Sequence, residues 1–274
     1  MKLSIDESAL PNETSVGAMI AAAARAGFAA VEPAIADRGA LTFQTPEAAC
    51  RQWAEAAVAE GAAVSGLVVE PAWSVALGSA DATARQGGCD RIVAALDRAR
   101  WLGAEAITTA PAAVVARYED AYALASEALS ELRFEAERRG ICIACAAGRN
   151  GFLLSPIETR EFIDIINSPW VGAGLDVADA ARLGLAEDWI ETLGHRLVRV
   201  RWSNVDPTSS TRPGRVRCAD HTSQQPSANA EVRTADPTDW PAIALALERA
   251  RYSRPVVCCG PGDPAAIRVR LESR

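Results

Sequence analysis

Short apolar runs and longer amphipathic stretches alternate along the whole chain. Runs rich in Val, Ile, Ala and Leu fall at 3–5, 28–33, 63–69, 106–109, 141–145, 172–175, 197–202 and 255–259, each of a length suited to a buried strand. Between them, apolar positions recur at helical spacing. In 118–139, Ala121, Tyr122, Ala125, Leu129, Leu132 and Ala136 form one stripe with Glu and Arg opposite, and Gly140 follows. That pattern predicts an amphipathic helix closed by a left-handed glycine. Ile92, Ala95, Leu96 and Ala99 form a second stripe, ended by Gly103. Thr45-Pro46-Glu47 and Ser155-Pro156-Ile157-Glu158 read as helix starts: a cap, a proline in the first turn, then an acidic residue. Eight strand–helix units in strict order predict parallel strands joined by right-handed crossovers. A closed barrel and an open doubly wound sheet both meet that description. The strand count, and the lack of a glycine-rich loop after the first strand, favour the barrel.

The length of 274 residues suits one large α/β domain spanning 1–274. A net charge of −7 and a pI near 5.1 oppose a nucleic-acid partner, which needs a basic face. No run approaches the roughly 18 apolar residues of a membrane span, and the start MKLSIDESALPNE lacks the apolar centre of a signal peptide. The expected location is cytoplasmic. Seven cysteines, an odd number without zinc-type spacing, read as free thiols acting as small hydrophobes. The chain has one lysine, Lys2, at the start of the first strand, so a Schiff-base mechanism at the reacting end of a barrel is excluded. Two histidines, His195 and His221, cannot assemble a His-rich metal cluster.

Three motifs carry a family likeness: NGFLLSP at 150–156, VGAGLDVA at 171–178 and EDWIETLGHRLVRV at 187–200. Together they resemble the xylose isomerase-like sugar and sugar-phosphate isomerases and epimerases, within the AP-endonuclease-2-like superfamily. The likeness covers most of the chain and is weakest at 204–237. It implies a single (β/α)8 TIM barrel. It also implies a divalent cation held by Glu, Asp, His and Glu at the ends of four strands, polarising a sugar carbonyl. In this sequence the matching positions are Ala146, Asp176, Arg201 and Cys259, so only Asp176 of that set is retained. The expectation is therefore no metal and no other cofactor. The likeness implies a catalytically degenerate relative that still binds a small sugar-like or anionic ligand. Two alternatives stand beside it. One is a working isomerase, epimerase or lyase with altered chemistry, drawing on Glu70, Asp176, His221 or Cys259. The other is a partner-binding scaffold that uses the outer helices, with Trp53 and Trp101 as candidate contacts or as core.

Strict alternation puts Leu197, Arg199 and Arg201 on one strand face and Val198, Val200 and Trp202 on the other. Arg201 would then face the barrel mouth beside Asp176. A bidentate Asp176–Arg201 pair is expected there, or a site in which Arg199 and Arg201 bind an anionic ligand. Asp179 reads either as part of a reduced cation site or as the cap of the next helix. Other rim candidates for ligand binding are Glu32 and Asn150, with Glu70, Thr108 and Thr109. Cys259 as a nucleophile would need a neighbouring base or a helix N-terminus. His195 precedes its strand and so belongs to the opposite, structural face. His221 lies in the Ser-, Thr- and Pro-rich stretch 204–237, which reads as a lid or a family-variable excursion. The oligomeric state is not encoded legibly.

Overall fold

The computed structural model describes residues 2–10, 14–69, 77–113, 117–148, 151–203, 240–260 and 268. Among them, nine parallel strands form one sheet: β1 (Leu3–Asp6), β2 (Ala30–Glu32), β3 (Ala34–Ile35), β4 (Gly66–Val69), β5 (Ala106–Thr109), β6 (Cys142–Ala146), β7 (Val171–Asp176), β8 (Leu197–Ser203) and β9 (Val256–Cys259). The order is β2-β1-β9-β8-β7-β6-β5-β4-β3. Its two ends, β2 and β3, are consecutive in sequence with only Pro33 between them, so the sheet closes on itself. Backbone bonds from Val31 N to Ala63 O (2.8 Å), Ser65 N to Val31 O (3.0 Å) and Val68 N to Pro33 O (3.0 Å) stitch the junction. The expected second strand, 28–33, is thus one barrel strand split at a proline, which cannot donate to a ladder. The chain is a (β/α)8 barrel.

Among the described residues the α-helices are α1 (Val16–Arg25), α2 (Glu47–Ala59), α3 (Ala82–Leu102), α4 (Tyr118–Arg139), α5 (Pro156–Ile166), α6 (Val177–Leu183), α7 (Ala186–Leu193) and α8 (Trp240–Arg249). The helix stops are as read: Gly103 (φ 73°) and Gly140 (φ 67°) take the left-handed conformation and close α3 and α4. Ser155 caps α5 through the Glu158 N–H (3.1 Å), and Glu158 returns a carboxylate to the Leu154 N–H (3.0 Å). Thr45 does not cap α2. Its hydroxyl turns back to accept from Thr42 N (2.9 Å), leaving Pro46 at the cap position without a side-chain bond.

One residue set of each strand packs outward under the helices, including Ile5, Val31, Leu67, Ile107, Ile143, Leu175, Val200 and Cys258. The alternate set faces the barrel axis and is small: Ser4, Ala30, Gly66, Ala106, Ala144, Gly172 and Gly174. Trp53 and Trp101 pack against the outer core. Among the described residues the exposed large apolar side chains are Val58, Phe134, Leu154, Ile157, Ile165, Leu183, Leu185 and Leu245. Among the described residues no helix is long and apolar enough to cross a membrane.

Alternation on β8 differs from expectation at one point. The β7–β8 register shifts between Ala173 and Gly174, whose partners are Leu197 and Arg199. The extra residue, Val198, turns inward with Ala106, Cys142 and Ala144, while Leu197 joins the outer core. A bulge of this kind re-aims the side chains that follow it. From Arg199 onward the expected inward face is restored, one position out of step with the strand's start.

Candidate functional site

The small inward set leaves room along the axis, and two arginines of β8 occupy it. Arg199 is fully buried, its Nε 3.0 Å from Glu32 Oε1, and its Nη2 donates to the Ser65 carbonyl. A Cβ on Gly66 would lie 1.8 Å from Arg199 Nη2 and 2.5 Å from Glu32 Oε1, so the pair fits only because residue 66 has no side chain. Among the described residues, Arg199 Nη1 and the Thr108 hydroxyl are buried without a hydrogen-bond partner. Thr109, also buried, stands on the same strand.

One layer nearer the C-terminal ends, Arg201 Nη1 donates to Glu32 Oε2 and its Nη2 to Asp6 Oδ2, both at 2.7 Å. Glu32 therefore bridges two guanidinium groups, one with each carboxylate oxygen. Burial opposes the charge on Arg201. The neighbouring Asp6 and Glu32 carboxylates offset it and hold the Arg201 pKa well above its ordinary value. This corrects the expected Asp176–Arg201 fork. The two residues are register partners across β7 and β8, yet the guanidinium reaches across the mouth to β1 and β2.

Asp176 is engaged differently. Its Oδ1 accepts from Ala178 N (2.9 Å) and Asp179 N (3.4 Å), which makes it the N-cap of α6. Its Oδ2 accepts from the Ser203 hydroxyl at 2.5 Å. The capping role expected of Asp179 thus belongs to Asp176. Asp179 sits in the first turn of α6, where its negative charge suits the helix dipole, and pairs with Arg182. Ala146 ends β6 and Cys259 ends β9, opposite Ser203 in register. Desolvation, with Asp6, Asp176 and Glu32 adding to it against Arg201, pushes the Cys259 thiol well up. A protonated thiol is the wrong form for a nucleophile.

Glu70, Asn150 and His221 lie outside the described residues, as does the stretch 204–237. His195 is at the other end of the barrel, as expected. With Arg196, Asp164, Asn167 and Ser168 it lines a cleft of about 330 Å3 there, and Arg196 is held by Asp164 at 2.5 and 2.9 Å.

Among the described residues the donor set at the mouth does not fit a divalent cation. Asp6 Oδ1 accepts from the Ser8 N–H at 2.8 Å while its Oδ2 and the Glu32 oxygens face guanidinium groups, Asp176 is engaged by a helix N-terminus and a hydroxyl, and Arg201 places a fixed positive charge among them. Among the described residues no group of three or more His, Cys, Asp or Glu is arranged to hold a metal ion. The arrangement instead offers fixed hydrogen-bond donors and acceptors at the mouth. Sequence reasoning missed Asp6 and Ser203. Asp6 carries no motif and its partner is 195 residues away; Ser203 is visible only as a polar residue ending an apolar strand.

A family model described as the xylose isomerase-like TIM barrel matches residues 20–273. The chain belongs to that family. No curated relative matches it. Among solved structures it is similar to a D-psicose 3-epimerase determined in the presence of D-fructose, with a TM-score of 0.74 and 20% identity over 98% of this chain and 90% of that one. It is similar to the 3-keto-D-glucoside 4-epimerase of E. coli, with a TM-score of 0.73 and 16% identity over 99% and 97% of the two chains. It is also similar to the IolI protein determined with a bound zinc atom, with a TM-score of 0.72 and 15% identity over 100% and 96%. At these identities the likeness is one of fold.

Proposed function

We propose that this chain is a sugar isomerase/epimerase-family barrel that has given up the metal-assisted reaction and keeps the mouth as a binding site for a small sugar-like ligand. The observation that carries this reading is the Arg201 guanidinium, bonded to Asp6 and Glu32 at 2.7 Å. Its strand position matches the family's histidine ligand. Ala146 and Cys259, at the positions that match the two glutamates, offer neither a carboxylate ligand nor a carboxylate base. A cation is thereby supplied by the chain itself, and among the described residues no carboxylate stands at the two positions that match the family's glutamates. What remains suits recognition: donors and acceptors whose orientations are fixed by buried bonds.

The test pairs metal analysis with turnover. Purified protein is expected to carry no stoichiometric manganese, cobalt, zinc or magnesium. It is also expected to show no epimerisation of free ketoses with or without added Mn2+ or Co2+, while binding of a ketose is detectable by calorimetry. Metal-dependent epimerisation, with Asp176 needed for the metal, would sink the reading.

A further inference from the structure

We infer that the barrel interior contains a binding site for one internal water, which bridges Arg199 Nη1 and the Thr108 hydroxyl. Both residues are sealed from solvent: Arg199 is 0% exposed and Thr108 4%. Among the described residues neither of these atoms has a hydrogen-bond partner. Buried polar atoms in folded proteins are paired, and an ordered water is the usual partner where two of them face each other across a gap. Arg199 crosses the barrel from β8, and its other contacts fix which way Nη1 faces. Glu32 Oε1 stands 3.0 Å from Nε, and the Ser65 carbonyl accepts from Nη2. In a planar guanidinium Nε–H and Nη2 share one edge, and Nη1 lies on the other. Nη1 is thus turned away from both contacts.

The guanidinium ends against Gly66, whose register partner is Ala106 on β5. Thr108 follows two residues later on the same inward face, since Ala106 packs with the inward Val198 while Ile107 joins the outer core. That step along the strand is about 6.6 Å, and one water spans about 5 Å between its two partners. The wall between the two groups is lined by the smallest side chains. Arg199 pairs in register with Gly174, Gly174 with Ala146, and Ala144 with Thr108. A Cβ added at Gly174 would find nothing nearer than Ala144 Cβ at 3.4 Å. The water accepts from Nη1 and gives a hydrogen to Thr108 Oγ1. A polar chain then runs from β5 through the water, Arg199 and Glu32 to Arg201, so Thr108 takes part in fixing the network at the mouth. None of this depends on ligand binding there.

Thr108→Val gives a test whose sign decides, because valine replaces the hydroxyl by a methyl group of the same shape. With the water bridging, the variant is expected to lower the folding equilibrium constant roughly three- to tenfold, the loss of one hydrogen bond. In a dry interior the same change would remove an unpaired buried hydroxyl, and the variant would be as stable as the parent or more so. Urea denaturation reads the constant, and that second outcome overturns the bridge. In an Arg199→Met background the donor is gone, so Thr108→Val is expected to cause no loss; an undiminished loss there overturns it too. High-resolution diffraction from crystals of the parent needs no variant to fold. A single water peak about 2.6–3.2 Å from both atoms is expected. A direct Arg199–Thr108 bond, no peak between them, or an anomalous signal there after bromide soaking, which marks a halide, overturns the assignment.

Discussion

Arg201 on β8 and Glu32 on β2 meet at 2.7 Å across the mouth of the barrel, and Glu32 holds Arg199 with its other oxygen at 3.0 Å. One buried carboxylate therefore ties together two cations that differ in depth along the axis. Such an arrangement is not automatically a net stabiliser, because burying charges costs several kcal/mol each. Its members are nonetheless dependent on one another, since removing any one strands the rest.

Arg201→Ala should expose that dependence. It leaves Asp6 without its guanidinium and Glu32 with Arg199 alone. The expected loss is roughly 3–5 kcal/mol, the range for breaking a buried pair from one side. Arg201→Lys should recover only part of it, because an ammonium cannot span two carboxylates as a planar fork does. Urea denaturation of the three proteins measures the difference; an alanine variant as stable as the parent would refute the role given to the network.

The alternation of strands and helices was legible because each element announces itself locally. Ser155, Gly103 and Gly140 mark their helix ends by chemistry that needs no distant partner. The site was legible only in part. Strand alternation put Arg199 and Arg201 on one face, and Glu32 stood among the rim candidates, but the partner of Arg201 depended on which side chains sit opposite across a closed barrel. That is a property of the closure, not of any run of residues. The bulge at Val198 was hidden inside a continuous apolar run. Gly66 did leave a signal, since glycine inside a strand marks a close approach by another group.

Alkaline pH should loosen the outer core. Burial pushes the thiols of Cys145 and Cys258 up to about 12 from a starting value of 9.0, and it pushes Tyr252 to about 12 from 10.0. In each case the folded chain holds a proton that the unfolded chain releases earlier. The stability linked to the two thiols is complete below pH 9 and is lost as pH rises from there toward 12. Each thiol adds a slope of about 1.4 kcal/mol per pH unit within that window. Urea midpoints at pH 8, 9.5 and 10.5 should fall progressively, and Cys145→Ala with Cys258→Ala should flatten the decline. Equal slopes in parent and double variant would count against it.

Tyr118 anchors the loop that carries the 151–155 segment to α5. Its hydroxyl bonds the Glu158 carboxylate and accepts from Leu153 N at 3.1 Å, and its ring packs against Phe152 with centroids 5.4 Å apart. Tyr118→Phe keeps the packing and removes both bonds. Destabilisation of about 1–3 kcal/mol is expected, with the buried Leu153 amide left unpaired. Hydrogen exchange should accelerate at residues 151–155 more than in α4; uniform exchange across both would argue that the hydroxyl does not hold the loop.

The sharpest test of the barrel interior is Gly66→Ala. An alanine Cβ there would lie 1.8 Å from Arg199 Nη2 and 2.9 Å from Arg199 Cζ. The arginine cannot swing aside, because it is fully buried, donates to the Ser65 carbonyl and is paired with Glu32. Overpacking alone costs typically 1–3 kcal/mol, and displacing the guanidinium adds the cost of a disturbed buried pair, so a total of roughly 3 kcal/mol or more is expected. Gly174→Ala is the control: its Cβ would find its nearest neighbour, Ala144 Cβ, at 3.4 Å, and little change should follow. In an Arg199→Met background the Gly66→Ala penalty should shrink, because a thioether chain can bend away and needs no partner. A double-mutant cycle read by urea denaturation gives the coupling directly. If the two substitutions prove additive, Arg199 does not lie against residue 66, and the account of the interior fails.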